Sequence, residues 1–236
     1  MPHLLKSNSR KLILENAPKI FFVSVLYIVI STVISTLAYR LPGTVSMEDI
    51  NNRLLSGELP GFNMIYTDFR PAGALLALLL YLLQPIIDVG FIRYCVSIKR
   101  AQGGDYQYLF DGFQLFIKIV QIQIISAFFV LLWSMLFLFP GLAAIYRYRQ
   151  AYYILLDDPQ KGALQCITES KQMMYGRKLD LFILDFSFIG WYILDFIVVI
   201  LIPVPFAVPV VSVWLSPYVG LTRAAFYDEL VAGVAV

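Results

Sequence analysis

The sequence predicts an all-α membrane protein: a polytopic bundle of six transmembrane helices with one amphipathic helix at its inner face, forming a single domain over residues 1–236. Three observations lead there. Charged residues make up 14% of the chain against 59% hydrophobic ones, and mean hydropathy is +0.74. A soluble domain normally carries about a quarter charged residues, so this chain could not clothe its surface for water. Second, uncharged apolar runs recur at the length of a bilayer crossing. Third, lysines and arginines collect in residues 1–19, 99–118 and 147–178, as the positive-inside rule requires of cytoplasmic segments.

In chain order, residues 1–19 hold Lys6, Arg10, Lys11 and Lys19 against Glu15, with Leu4, Leu5, Leu12, Ile13 and Leu14 as a short apolar face. That pattern suits a segment lying along the membrane surface. Residues 20–39 carry no charge, and twenty residues at ~1.5 Å each reach roughly 30 Å, one hydrocarbon thickness. The run is too long for a signal peptide and lacks a small-residue cleavage site, so it reads as a retained first span. Residues 40–70 are a polar loop with turn signals at Pro42-Gly43 and Pro60-Gly61. Span two covers 71–98, opening on Pro71 and containing Pro85 as a kink site. Residues 99–118 read as a loop.

From Ile119 to Tyr146 no residue is charged, and Pro140-Gly141 interrupts the run. It either kinks one helix or turns between two. A single crossing would put Arg147, Arg149, Lys161, Lys171, Arg177 and Lys178 outside, against the positive-inside rule. The pair therefore reads as a hairpin turn between spans 119–139 and 142–157. Asp157 and Asp158 cap an amphipathic helix over 159–176, with Ala163, Leu164, Ile167, Ser170 and Met174 on its apolar face and Gly176 as a left-handed C-cap. Spans five and six cover 179–201 and 206–227, joined by a proline-rich turn, and both termini come out cytoplasmic.

Several function classes drop out. A net charge of +2 with no basic run argues against nucleic acid. The single histidine, His3, lies near the N-terminus, and Cys95 and Cys166 are too far apart for a metal pair. No metal or cofactor is expected. HExxH, Walker and G-x-S-x-G patterns are missing, so no catalytic residue is assigned and the chain reads as a non-enzyme. A proline, a small residue and an arginine recur near the inner ends of spans two, four and six (Pro85/Gly90/Arg93, Pro140/Ala144/Arg147, Pro217/Gly220/Arg223). The pattern fits either a triplicated hairpin or the ordinary enrichment of arginine and small residues at such ends.

Embedded ionisable groups cost a few kcal/mol each in a span and mark the places to look. Four qualify: Arg147, Arg149, Asp185 and Asp195. Seven residues separate Arg147 from the turn and Asp185 from Lys178, each roughly 10 Å of depth. Asp185 can therefore meet Arg147 or Arg149. Such a pair is either an internal salt bridge or the wall of a polar cavity that holds a charged headgroup or substrate.

Several stretches carry a family resemblance: Phe139-Pro140-Gly141; Tyr152-Tyr153-Ile154-Leu155 leading to Asp157-Asp158-Pro159; Ser170-Lys171 with Met174 and Gly176; and Pro217-Tyr218 followed by Ala224-Ala225-Phe226-Tyr227. The most specific is Phe186-Ser187-Phe188-Ile189-Gly190-Trp191, in which Ser187, Gly190 and Trp191 are the marking residues and Phe186 stands where leucine is more usual. Together they resemble the domain-of-unknown-function 975 family of bacterial integral membrane proteins, from about residue 139 onward. The resemblance implies a multi-pass protein of the bacterial plasma membrane with no assigned activity. The expected role is binding of membrane lipid or another amphiphile, or assistance to a membrane-protein partner. The alternative is a small transporter with a polar site between proline-broken helices.

Overall fold

A computed structural model of the chain describes residues 2–40, 55–56, 71–136, 138–201 and 210–234, and no strand occurs among them. The helices are α1 (Pro2–Glu15), α2 (Lys19–Arg40), α3 (Pro71–Lys99), α4 (Phe116–Leu136), α5 (Leu138–Tyr148), α6 (Ala151–Asp157), α7 (Ala163–Met173), α8 (Lys178–Phe186), α9 (Ile189–Leu201) and α10 (Val210–Val234). A 3₁₀ segment, Tyr106–Leu115, precedes α4. The expected 99–118 loop is thus largely ordered helix. Most of the 40–70 loop and the turn before α10 lie outside the described residues.

Four stretches are long and apolar enough to cross a membrane: Lys19–Ala38, Leu75–Lys99, Tyr106–Met135 and Lys178–Val198. Their windows are only 11–33% buried, leaving apolar faces that water would not tolerate and lipid would. The chain is a membrane protein. The other two expected spans differ from these four. Residues 142–157 are cut at Arg149-Gln150 into α5 and α6, and α10 carries Ser212, Ser216, Thr222, Arg223, Asp228 and Glu229 along its length.

The chain divides into two compact units, Met1–Ile28 with Pro85–Val236, and Val29–Gln84. In the second unit, Gln84 Nε2 donates to Ser31 Oγ at 3.1 Å. The first unit holds everything below.

Helix α4 and the α5–α6 stretch run antiparallel. Trp133 receives the Arg147 guanidinium on its ring at 5.7 Å, Phe129 meets Tyr148 at 5.8 Å, and Tyr152 Oη donates to Gln123 Oε1 at 2.6 Å. Residue numbers fall on one helix as they rise on the other. Helix α4 ends at Leu136 and α5 begins at Leu138, slightly before the expected Pro140-Gly141. Pro140 instead lies in the first turn of α5, where its missing N–H has no intrahelical partner to lose. Gly141 packs so tightly on Ser134 that a Cβ would overlap the Ser134 hydroxyl.

The amphipathic helix is shorter than the expected 159–176 and starts at Ala163 behind Gly162. Asp157 and Asp158 do not cap it: Asp158 accepts from Gln160 N at 3.1 Å in a local turn, and Asp157 ends α6. Its buried face is Ala163, Cys166, Ile167 and Ser170, with Met174 just beyond, whereas Leu164 is exposed. The face packs on α4, α5 and α6, so tertiary contact selects it. Gly176 does adopt the left-handed conformation, with φ +76°.

Helix α1 buries Leu5, Ser9 and Ile13, one stripe at four-residue spacing, and packs that stripe on α10 and α8. It therefore docks on protein, with Leu4 and Leu14 left exposed.

Gly90 on α3 faces the 3₁₀ segment so closely that a Cβ would run into the Leu109 carbonyl. Nothing lies within 4 Å of the Cβ position at Gly190. Gly90→Ala should cost about 1–3 kcal/mol through overpacking against backbone. Gly190→Ala should leave the melting temperature in detergent unchanged or raise it slightly, since alanine favours helix over glycine. Paired thermal melts check the contrast.

Candidate functional site

Two helix breaks build the site. The first separates α5 from α6 at Arg149-Gln150. Ser170 on α7 bridges it: its hydroxyl donates to the Arg147 carbonyl at 2.8 Å and accepts from Gln150 N at 3.2 Å. One side chain thus satisfies a freed carbonyl and a freed amide, as an apolar surrounding demands. The second break separates α8 from α9 at Ser187-Phe188, inside what the sequence reads as one continuous span 179–201. The Ser187 hydroxyl donates back to the Leu184 carbonyl, a local bond that competes with helix continuation. Lys6, from α1, donates to the Ser187 carbonyl at 3.1 Å with its ammonium 4.1 Å from the centre of the Phe188 ring. A cation at a helix C-terminus complements the dipole there.

Asp185 lies in the last turn of α8 and Arg149 follows the end of α5, so the breaks bring them together. Arg149 Nη1 donates to Asp185 Oδ2 at 2.7 Å. On the other side Arg223, from α10, places Nε and Nη2 each at 3.0 Å from Asp185 Oδ1. One carboxylate is clamped between two guanidiniums contributed by different helices. The Asp185 side chain is 13% exposed against 30% for Arg149 and 27% for Arg223, so the cluster is open on its arginine side.

Of the expected residues, Arg149 and Asp185 pair. Arg147 does not join them and makes no ion pair among the described residues; its side chain lies on Trp133 across the hairpin. Two positions along a helix rotate a side chain by about 200°, which directs Arg147 to α4 and Arg149 to α8. Asp195 stands apart on α9, accepting from Ser212 Oγ at 2.6 Å, with its Oδ1 buried and unpartnered. Trp191 meets Trp214 at 5.0 Å with the rings tilted by 48°, joining α9 to α10, and Trp214 meets Tyr218 at 5.0 Å along α10. Sequence reasoning missed Arg223 as a partner. Its place in the proline, small residue and arginine echo was the available signal, but the three arginines of that echo have different partners: Asp111, Trp133 and Asp185.

A second ionic cluster ties helix ends together. Arg100, just past α3, forks onto Asp157 at 2.6 and 3.1 Å and reaches Asp228 on α10 at 2.8 Å. Tyr227 Oη donates to Asp157 Oδ2 at 2.8 Å. The hydrogen bonds to Asp157 push the Arg100 pKa up, so it stays charged throughout the working range. Lys118, two residues into α4, donates to the Pro159 carbonyl. The C-terminal ends of α3 and α6, the Asp228 region of α10 and the N-terminal end of α4 therefore share one side.

Residues 140–233 match the family described as Protein of unknown function (DUF975). Over that segment the chain is similar to this family. Both helix breaks, Ser170, Asp185 and Arg223 fall inside the DUF975 segment, and Lys6 and Arg100 fall outside it. Searches of curated proteins and of solved structures return no match.

Asp185→Leu leaves two arginines without their carboxylate and should cost about 2–4 kcal/mol. Arg149→Leu keeps the Arg223–Asp185 pair and should cost less, and Arg147→Leu least. Melting temperatures in detergent check the order, and an Asp185→Leu variant as stable as wild type would remove the clamp from the argument.

Proposed function

We propose that this chain is a six-span protein of a bacterial plasma membrane, with both termini cytoplasmic, that binds a membrane lipid or other amphiphile and carries no catalytic site. What carries the reading is the Arg149–Asp185–Arg223 clamp. It is a polar island on largely apolar helices, left partly open where a headgroup could enter. Supporting the topology is the antiparallel pairing of α4 with α5–α6, which returns the chain before its basic 147–178 stretch. The positive-inside rule then assigns the shared side of Arg100, Lys118 and Lys161 to the cytosol. A role in holding a membrane-protein partner belongs to the same reading, with the exposed apolar faces of α2, α4 and α9 available to it.

A small transporter is the second reading. The observation in its favour is that two interrupted helices meet at one charged cluster, the device by which transporter sites are commonly built.

Topology is testable with a single reporter. Cys95 and Cys166 are buried, and burial pushes the Cys166 thiol up, so neither native thiol competes for label. Gln165→Cys should react with a membrane-impermeant maleimide only after the cells are opened. Labelling in intact cells would overturn the six-span map. For function, native mass spectrometry of protein released from nanodiscs should find lipid retained. Bare protein in that experiment, together with solute flux in proteoliposomes, would favour the transporter instead.

A further inference from the structure

The clamp is charge-unbalanced. Two guanidiniums face one carboxylate, and the other titratable groups acting most strongly on them are tyrosines: Tyr146, Tyr153 and Tyr192. A guanidinium offers five N–H donors. Between them, Arg149 and Arg223 place Arg149 Nη1, Arg223 Nε and Arg223 Nη2 on Asp185; Arg149 also lies over the Tyr146 ring at 5.9 Å, and no other oxygen or nitrogen acceptor among the described residues takes the remaining donors. A cluster with surplus negative charge, Asp157 with Asp228 around Arg100, lies elsewhere. Asp228 lies five residues along α10 from Arg223, roughly 7.5 Å in a helix and beyond hydrogen-bonding reach. Among the described residues, Arg93–Asp111 and Lys161–Glu169 each match one cation to one anion.

An unmatched guanidinium near lipid is stabilised by an anion that accepts in the planar, forked geometry arginine presents, and phosphate oxygens do this well. We infer that Arg149 and Arg223 together bind a phosphate group bearing net negative charge, with Asp185 holding the two guanidiniums in register as a positioning residue. This rests on the lipid-binding reading and narrows it to anionic phosphate chemistry. The phosphate belongs either to an anionic lipid headgroup or to a soluble phosphate.

The test compares wild type with Arg149→Gln, Arg223→Gln, Arg147→Gln and Asp185→Asn. Nanodiscs of phosphatidylcholine doped with phosphatidylglycerol provide the lipid arm, read by native mass spectrometry. Titration of detergent-solubilised protein with inorganic phosphate provides the soluble arm. Preference for phosphatidylglycerol over phosphatidylcholine should fall about tenfold in either Arg149→Gln or Arg223→Gln, the loss of one charge-assisted hydrogen bond. It should hold in Arg147→Gln. Folded Asp185→Asn should bind the anion more tightly, because its internal competitor is gone, whereas a residue with only a structural role would weaken binding. If Asp185→Asn does not fold, the three arginine variants decide the matter alone. Arginine-dependent binding of inorganic phosphate without lipid preference upholds the site and assigns it to a soluble ligand. Lipid retained with no headgroup preference, or an equal loss in Arg147→Gln, overturns the phosphate site while leaving lipid binding in place. No anion bound in either arm overturns it outright.

Discussion

A backbone interrupted in an apolar surrounding must find new partners for the amides and carbonyls it frees, and most of this structure follows from that requirement. Ser170 reaches across from α7 to close the gap between α5 and α6, and Lys6 reaches from α1 to close the gap between α8 and α9. Neither α7 nor α1 is apolar or long enough to cross a membrane. Each earns its place by packing one buried stripe on the spans and delivering one polar side chain to a break. Ser170 and Met174 on the α7 side are fully buried, as is Phe188 at the second break.

The same breaks explain why charge gathers where it does. Interrupting α5 exposes a C-terminal end beside which Arg149 sits, and interrupting α8 leaves Asp185 in a terminal turn. Arg223 completes the arrangement from α10, the helix on which α1 and α9 also pack. The residues that mark the family thus divide by role. Ser170 and Met174 meet Gln150 at the first break, Gly176 follows α7 in the left-handed conformation, Ser187 and Phe188 make the second break, and Trp191 fastens α9 to α10 through Trp214.

Much of this was legible in the residues themselves. The all-helical membrane class follows from composition, and charge placement alone chose a hairpin near Pro140, as the α4 to α5–α6 contacts bear out. An Arg–Asp pair was foreseeable from matching depths, and Arg149 realises it. What escaped was set by partners distant in sequence. Neither break is announced by proline, because the competing bonds come from Ser187 itself and from Ser170 about twenty residues away from the gap it fills. Leu164 fits the helical period as well as Cys166 does, and only the packing of α7 on α4 and α6 decides between them. Arg223 looked like any arginine at an inner helix end.

The bond from Lys6 to Ser187 spans 181 positions of sequence. Since synthesis proceeds from the amino end, α1 is made before α8 and α10 and has no seat until they are in place. Until then its basic, half-apolar stripe must wait unpaired, and the carbonyl it will cover stays uncovered too. Docking of α1 is accordingly a late act of assembly, a latch thrown once the helices it packs on are in place.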